Sequence, residues 1–530
     1  MFKIMIRDTM SLKAKEILEA TGKIEVTVDN DKAFNDPAAL SKIIGEFDGL
    51  ALRSGTRVTA EVLEHSPRLK VIGRAGIGVD NIDLKVATRK GIVVMNAPGG
   101  NTVTTAEHAI AMMLSLARNI PQATALLREG KWEKKQLTGM EICGKTLGIL
   151  GLGNIGAIVA DRARGLKMKV IASDPYISKD AAGKLGASLV SLEKLLAESD
   201  FISLHVPRLE ETKNMINADT LSKMKPGVRI INCSRGEVVN LEDLHNAIES
   251  GHVAGAALDV FPVEPPDASL KILKNPRVIL SPHLGASTGE AQVNVARMIA
   301  EQMAAYLLEG VIINAVNFPS VSMEEMERLS PYLNLAEKMG SMMGQLIRAP
   351  HDISIDYSGD VTTLAMKPVT HALLKGLLSV FTHQPVNYVN AREVAISKGI
   401  GIREAVTHAD SAFSSLIKLK IEATDEKPDE IWGTIYEKKY PRLVRIGDVY
   451  LDAVPDGSMI VIQNVDKPGV IGNVGTTLGR HDVNIGRFQL GRRDDRAVCL
   501  VNIDTPVDEQ VLTEIRDLPN ILSVKQILLG

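Results

Sequence analysis

The chain has 530 residues, 45% hydrophobic and 24% charged, and its 61 Lys and Arg against 64 Asp and Glu leave a net charge of −3. That balance, with aromatics at only 4%, excludes a nucleic-acid coat or a base-stacking platform. Three scattered cysteines, Cys143, Cys233 and Cys499, with no C-x-x-C pair, exclude a disulfide framework and predict a reducing, cytoplasmic setting.

The length suggests three to four domains. Lys3, Arg7 and Asp8 crowd the N-terminus with no apolar stretch behind them, so no signal peptide is expected. Phe2–Ile6, Gly49–Leu52, Lys70–Gly73 and Gly91–Met95 read as buried parallel strands. Ser11–Ala20 and Pro37–Gly45 read as amphipathic helices between them. "APGGNTVTTAEHAIAMMLSLAR" reads as a loop and a buried helix starting near Val103. Its apolar part, Ala109–Ala117, is about half a membrane span, so no membrane partner is expected.

Alternation resumes at Thr146, with strands expected at Thr146–Leu150, Lys169–Ser173, Phe201–His205, Arg229–Asn232, Gly255–Leu258 and Val278–Ser281. Six strands with intervening helices suit a doubly wound dinucleotide domain. A helix at Glu290–Glu309 follows, then "NAVNFPS", where Pro319 and Ser320 break regular structure. From about 321 to 452 the chain has a helical opening and strand-like patches such as "HDISIDYSGD". The last segment reads βαββαβ, the ferredoxin-like order.

"KTLGILGLGNIGAIVADRAR" is a strand, a glycine-rich turn and a helix. Gly151 permits the tight turn, Gly153 lets a pyrophosphate approach the backbone, and Gly156 lets helix and strand pack closely. The free N–H groups of the helix start favour phosphate. Asp174, 23 residues beyond Gly151, ends the next strand, where a carboxylate accepts ribose hydroxyls and repels a 2′-phosphate. NAD is therefore expected over NADP.

Arg235, Glu264 and His283 each lie just beyond a predicted strand, where loops converge on the ligand crevice. Oxidising an alcohol needs a base, which histidine provides near neutral pH. It also needs a partner to tune that base and a cation for the substrate carboxylate, which arginine's planar fork matches. Singly, each residue has a plainer reading: a capping histidine, a rigid "EPP" turn, a surface cation. The functional reading rests on three such groups in order after strands of one domain. Arg53 and Arg74 follow N-terminal strands and can face the same crevice. Lys131, Lys134 and Lys135 either add charge, across a subunit boundary, or form a solvated basic loop.

"GLGNIG", "INCSRGEVVNLEDL", "GAALDVFPVEPP" and "SPHLGAST" resemble the D-isomer-specific 2-hydroxyacid dehydrogenase family. "GRAGIGVDNIDL", "NAPGGNTVTTAEH" and the C-terminal extension narrow the likeness to its long members, which end in an ACT domain. The resemblance implies an α/β fold. A Rossmann-type NAD domain (99–285) is inserted in a flavodoxin-like substrate domain (1–98 and 286–315). An α+β intervening domain (316–452) and a ferredoxin-like ACT domain (453–530) follow.

The resemblance puts Arg235, Glu264 and His283 in catalysis. It puts Asn154, Ile155, Asp174, Val206, Cys233, Ser234, Arg235, Asp259, His283, Gly285 and Ala286 at the NAD site with the glycines. Relatives commonly carry Thr where this chain has Ile77 and Val206, which leaves backbone contacts there. Arg53, Ser54 and Arg74 are implied in substrate binding, with Asn101 beside the cofactor cleft. The implied reaction is NAD-dependent oxidation of 3-phospho-D-glycerate to 3-phosphohydroxypyruvate, the first step of L-serine biosynthesis, by a homotetramer. No metal is expected. L-serine is the implied effector, with Asp466 pairing its ammonium group, Asn484 hydrogen-bonding it and Gly469 allowing a close turn. The rival readings are another D-2-hydroxyacid dehydrogenase, acting on glycerate or lactate, and an NAD(H)-responsive binding module.

Overall fold

A computed structural model describes residues 1–319, 321, 323–347, 350–382, 385–407, 412–423 and 429–529. Ser320, expected to break regular structure, lies outside the described residues. Among the described residues, no helix is long and apolar enough to cross a membrane.

The first sheet is parallel and contains β1 (Phe2–Ile6), β2 (Ile24–Val28), β3 (Gly49–Leu52), β4 (Val71–Arg74) and β5 (Val93–Asn96). Their order, β2-β1-β3-β4-β5, is flavodoxin-like. Strand β2 was not anticipated, because its alternating buried and exposed residues mark an edge strand rather than a continuous apolar run. Helix Gly289–Glu309, distant in sequence, returns to pack Ile299 and Met303 against this sheet. Val316 N–H then bonds the Val94 carbonyl at 2.7 Å, tying the chain back to the edge strand β5.

The second sheet contains β6 (Thr146–Leu150), β7 (Lys169–Ser173), β8 (Ser188–Leu189), β9 (Phe201–Leu204), β10 (Val228–Asn232), β11 (Val253–Leu258) and β12 (Val278–Leu280). The order β12-β11-β10-β9-β6-β7-β8 is the Rossmann winding with one strand added. Six strands were expected. The seventh, β8, is a two-residue edge strand, too short to carry a pattern. Helix Thr102–Arg118 packs on this sheet through Ala106, Ala109, Met113 and Leu116, spaced three or four apart, and ends at Asn119 in the left-handed region (φ 53°).

The third sheet contains β13 (Pro350–Gly359), β14 (Gly401–Val406), β15 (Ser415–Ala423), β16 (Asp429–Tyr436), β17 (Tyr440–Ile446) and β18 (Val449–Ala453), in the order β14-β13-β15-β16-β17-β18. Two helices, Met323–Leu346 and Met366–Phe381, cover it. Their backbones approach closely because glycines face each other. A Cβ on Gly340 would lie 2.0 Å from the Leu373 carbonyl oxygen, and one on Gly376 2.0 Å from that of Glu337.

The fourth sheet is antiparallel: β19 (Gly457–Val465), β20 (Ile485–Arg493), β21 (Arg496–Ile503) and β22 (Ile521–Leu529), ordered β20-β21-β19-β22. With helices Val470–Arg480 and Glu509–Arg516 on one face, this is the ferredoxin-like pattern. Its other face joins the third sheet's core through Met459, Val461, Leu500 and Ile527. Gln345 caps the β22 edge by bonding both N–H and carbonyl of Leu528, at 2.9 Å each.

Gly376→Ala tests the helix crossing. Better helix propensity, worth about 1 kcal/mol, should be outweighed by overpacking against backbone. A net loss on the order of 1–3 kcal/mol is expected, seen in calorimetry as a lowered first unfolding transition.

Candidate active site

The crevice lies between the carboxyl ends of the first two sheets. Arg53 follows β3, Arg74 ends β4, Asn101 immediately precedes helix Thr102–Arg118, and Arg235, Glu264 and His283 follow β10, β11 and β12. These parallel strands place chemistry-bearing loops at one end.

The phosphate loop bridges β6 and helix Asn154–Gly165. Gly151 has φ 88°, and a Cβ there would sit 2.7 Å from the His205 carbonyl oxygen and 3.1 Å from a Val206 methyl. A Cβ on Gly156 would lie 2.1 Å from the Gly151 carbonyl oxygen, whereas Gly153 faces open space. Asn154 and Ile155 form the first turn, with exposed N–H groups suited to a pyrophosphate. Asp174 accepts from Leu152 N–H and Tyr176 N–H, each at 2.8 Å, which fixes the carboxylate beside the glycine loop. A cavity of about 430 Å³ lined by Asp174, Pro175, Lys179 and Val190 adjoins it. These features fit a dinucleotide. Ile77 and Val206 offer backbone only, and the Ile77 carbonyl already accepts from Asn96 at 2.6 Å.

His283 Nδ1 lies 2.7 Å from Glu264 Oε2. Burial alone would raise the Glu264 pKa. The bonds from His283 and from Phe261 N–H (3.1 Å) outweigh it and hold the carboxyl below its usual range. An ionised Glu264 accepts a proton bond from Nδ1, which leaves Nε2 as the free lone pair. His283 itself is held in the left-handed region, φ 54°.

The loop carrying His283 hangs on Asp259. That carboxylate is fully buried and accepts from Ser281 Oγ (2.6 Å), Leu284 N–H (2.7 Å) and Gly285 N–H (2.9 Å), with His108 Nε2 at 3.2 Å. Burial opposes its charge, yet the bonds from His108, Ser281 and Leu284 prevail and lower its pKa. Ala286 follows on the same loop, half-buried. Cys233, expected at the cofactor side, is buried, and desolvation with nearby Asp259 pushes its thiol pKa up. It is a neutral packing group. His108, Cys233 and Asp259 each bring one ligand atom within 4.8 Å of the others. The Asp259 carboxylate of this trio is already engaged by Ser281, Leu284, Gly285 and His108. Ser234 is set by the buried Asn232, whose Oδ1 accepts from Ser234 N–H (3.0 Å) and Oγ (2.9 Å).

On the opposite wall, Asp8 organises the Arg53–Ser54 loop by accepting from Arg53 N–H (2.9 Å), Thr56 N–H (3.0 Å) and Thr56 Oγ1 (2.7 Å). Burial first, then the neighbouring Arg235, pulls the Arg74 pKa down to about 10. Asn101 Oδ1 is buried with no hydrogen-bond partner among the described residues. Lys131, Lys134 and Lys135 form an exposed loop, with Lys131 on Glu129 at 2.7 Å and Lys134 over the Trp132 ring.

In the fourth sheet, Asp466 follows β19 and pairs with Arg492 at 3.2 Å. Asn484 precedes β20 and donates to Asp504 at 2.8 Å. Strand register sets them at opposite ends of β21, since Val465 pairs with Arg496 and Ile485 with Ile503. Seven residue steps separate those ends by roughly 24 Å, so one chain does not bring the two together. Asp8, Asp80, Asn81, His108 and Ser281 were missed as site residues. Their signal was position alone, each polar and close to a strand end or a neighbouring loop.

Comparison with known proteins agrees with this geometry. Residues 110–285 match the NAD binding domain of D-isomer specific 2-hydroxyacid dehydrogenases. Residues 328–447 match the D-3-phosphoglycerate dehydrogenase intervening domain, and 458–520 an ACT domain. A D-3-phosphoglycerate dehydrogenase of Bacillus subtilis is 39% identical over 530 residues, covering 99% of each chain. Another from Synechocystis is 42% identical, covering 97% of this chain and 92% of its own. The D-lactate dehydrogenase of Aquifex aeolicus, solved with NAD and lactic acid, superposes with a TM-score of 0.52 at 28% identity, covering 60% of this chain and all of its own.

Asp259→Asn should separate loop support from general stability. A depressed carboxylate pKa stabilises the fold fully above the unfolded value and loses that contribution as pH falls through the folded one. The parent's stability advantage over the variant should therefore shrink below about pH 4, measured as converging melting temperatures.

With the whole-length relatives, the matching domains and this crevice taken together, the chain belongs to the D-3-phosphoglycerate dehydrogenase family, built on the NAD-binding scaffold of the D-isomer specific 2-hydroxyacid dehydrogenases.

Proposed function

We propose that the protein oxidises 3-phospho-D-glycerate to 3-phosphohydroxypyruvate, opening the route to L-serine. The observation that carries the reading is the His283–Glu264 pair at 2.7 Å, facing a crevice with three arginines. NAD, when bound, supplies the hydride acceptor. His283 Nε2 takes the C2 hydroxyl proton as C2 becomes a ketone, and Glu264 stabilises the imidazolium so formed. Arg235 holds the carboxylate in two-point contact. Arg53, Ser54 and Arg74 hold the phosphate, whose charge explains a third cation in the cleft. Asn101 orients the bound molecule beside the cofactor. Asp174 reads the ribose, with Gly285, Ala286, Ser234 and Val206 lining the cofactor's path.

The same reading includes a cytoplasmic homotetramer that L-serine inhibits at the interface of two C-terminal modules. The separation of Asp466 from Asn484 favours a paired site, since a second copy turned about a twofold brings Asn484 of one module toward Asp466 of the other. The site would act by biasing two arrangements of the oligomer.

NADH formation followed by absorbance tests the substrate. Turnover with phosphoglycerate should exceed that with glycerate or lactate, and equal turnover overturns the choice. No turnover with any 2-hydroxy acid returns the NAD(H)-responsive binding module. His283→Ala should lower turnover about 10²–10⁴-fold while NADH still binds. Asp466→Ala should remove serine binding in calorimetry and serine inhibition together, with the uninhibited rate near normal.

A further inference from the structure

Arg235 and Asp80 come from opposite walls of the crevice, one beyond β10 and the other beyond β4, and they form an ion pair of 3.1 Å from Nε to Oδ2. Arg235 Nη1 also donates to the Ser234 carbonyl at 2.8 Å, and Nη2 takes part in no hydrogen bond among the described residues. A guanidinium is planar and fixes its five N–H donors. With Nε committed to Asp80, the end formed by Nη1 and Nη2 is the part left for a carboxylate. Glycine at position 78 leaves room for this arrangement, since a Cβ there would lie 2.0 Å from Nη2 and 2.8 Å from Asp80 Oδ2.

The neighbouring residue serves the other half of the site. Asn81 Nδ2 donates to the carbonyls of Arg53 (2.8 Å) and Thr56 (2.6 Å), which holds the Arg53 loop in place. The pair Asp80–Asn81 thus touches both the Arg235 side chain and the Arg53 loop. Asp80 also offsets the repulsion that Arg235 and Arg53 exert on Arg74.

Resting on the reading that Arg235 binds the substrate carboxylate, we infer that Asp80 is a positioning residue. It engages Arg235 by its Nε edge, turns the Nη1–Nη2 end toward the substrate and links the two walls of the cleft. The pair is partly solvent-exposed, at 28% for Arg235 and 48% for Asp80. Such pairs contribute little to folding stability, so the effect should fall on turnover.

Asp80→Asn in the full-length protein is the test. It keeps the size of the side chain and removes its charge. Fluorescence titration should give an unchanged NADH affinity, and the melting temperature should stay near the parent's. The turnover number kcat should fall about tenfold or more, as for a lost charge-assisted hydrogen bond. KM should change less than about threefold, because removing a negative charge offsets the poorer alignment. In an Arg235→Lys background the same substitution should cost less than about threefold, because the partner it aims is already gone. Asp80→Glu should recover part of the lost kcat. A kcat near the parent's in Asp80→Asn overturns the inference, and so does an undiminished loss in the Arg235→Lys background. Every 2-hydroxy acid carries the carboxylate concerned. The comparison can therefore be run on whichever acid the parent oxidises, and failure of the phosphoglycerate reading leaves this test intact.

Discussion

The repulsion among three guanidiniums is the constraint around which the crevice is built. Arg53, Arg74 and Arg235 sit close enough that the other two both lower the affinity of the buried Arg74 for its proton. Holding such cations together in poor solvent is costly unless carboxylates stand among them. Asp8 and Asp80 do so without occupying the cleft, since each is tied to loop backbone or to one edge of a guanidinium. A Cβ on Gly76 would meet Arg74 Nη1 at 1.7 Å, so the backbone itself is thinned to admit the cation. The three cations are thereby held together by the fold itself, a preorganisation that would lower the cost of binding an anion.

The opposite wall obeys a complementary rule. There the difficulty is to hold a histidine on a short loop in a left-handed conformation. The buried Asp259 solves it by taking Ser281 Oγ and two loop N–H groups at once, while its own backbone carbonyl accepts the His283 N–H at 2.8 Å. The strand end below, the loop and His283 become one unit. His108 reaches across from the long helix Thr102–Arg118 and joins that unit to the helix. The position of His283 is therefore fixed by buried polar contacts from residues outside its own loop.

The C-terminal half is mechanically continuous with the rest. The third and fourth sheets share one apolar core, so the ferredoxin-like module is not a bead on a string. The loop that follows helix Met366–Phe381 in turn meets the first domain. Asn387 Nδ2 bonds the Gly91 carbonyl at 2.7 Å, and Val389 joins the core beneath β1. The ferredoxin-like module is thereby linked by packed contacts to the sheet that carries Arg53 and Arg74.

Much of this was legible in the sequence because the signals were local. A strand, a glycine turn and a helix start lie within twenty residues, so "GILGLGNIG" announces a dinucleotide site by itself. Buried parallel strands are continuous apolar runs, so most of β1 to β12 could be marked and Arg235, Glu264 and His283 set at their ends. Edge strands β2 and β8 could not, because exposure removes the pattern that burial imposes. Tertiary structure alone decided which polar groups meet. Asp80 and Arg235 are 155 residues apart, and His108 and Ser281 are 173 apart. Nothing local distinguishes an aspartate that aims an arginine from one that faces water. Asp466 and Asn484 are close in sequence and far apart in the folded module, because the helix Val470–Arg480 between them carries the chain back to the other end of the sheet. Composition, period and turn chemistry determine elements. Only packing, by closing loops of tens to more than a hundred residues, determines which side chains share a charge or a proton.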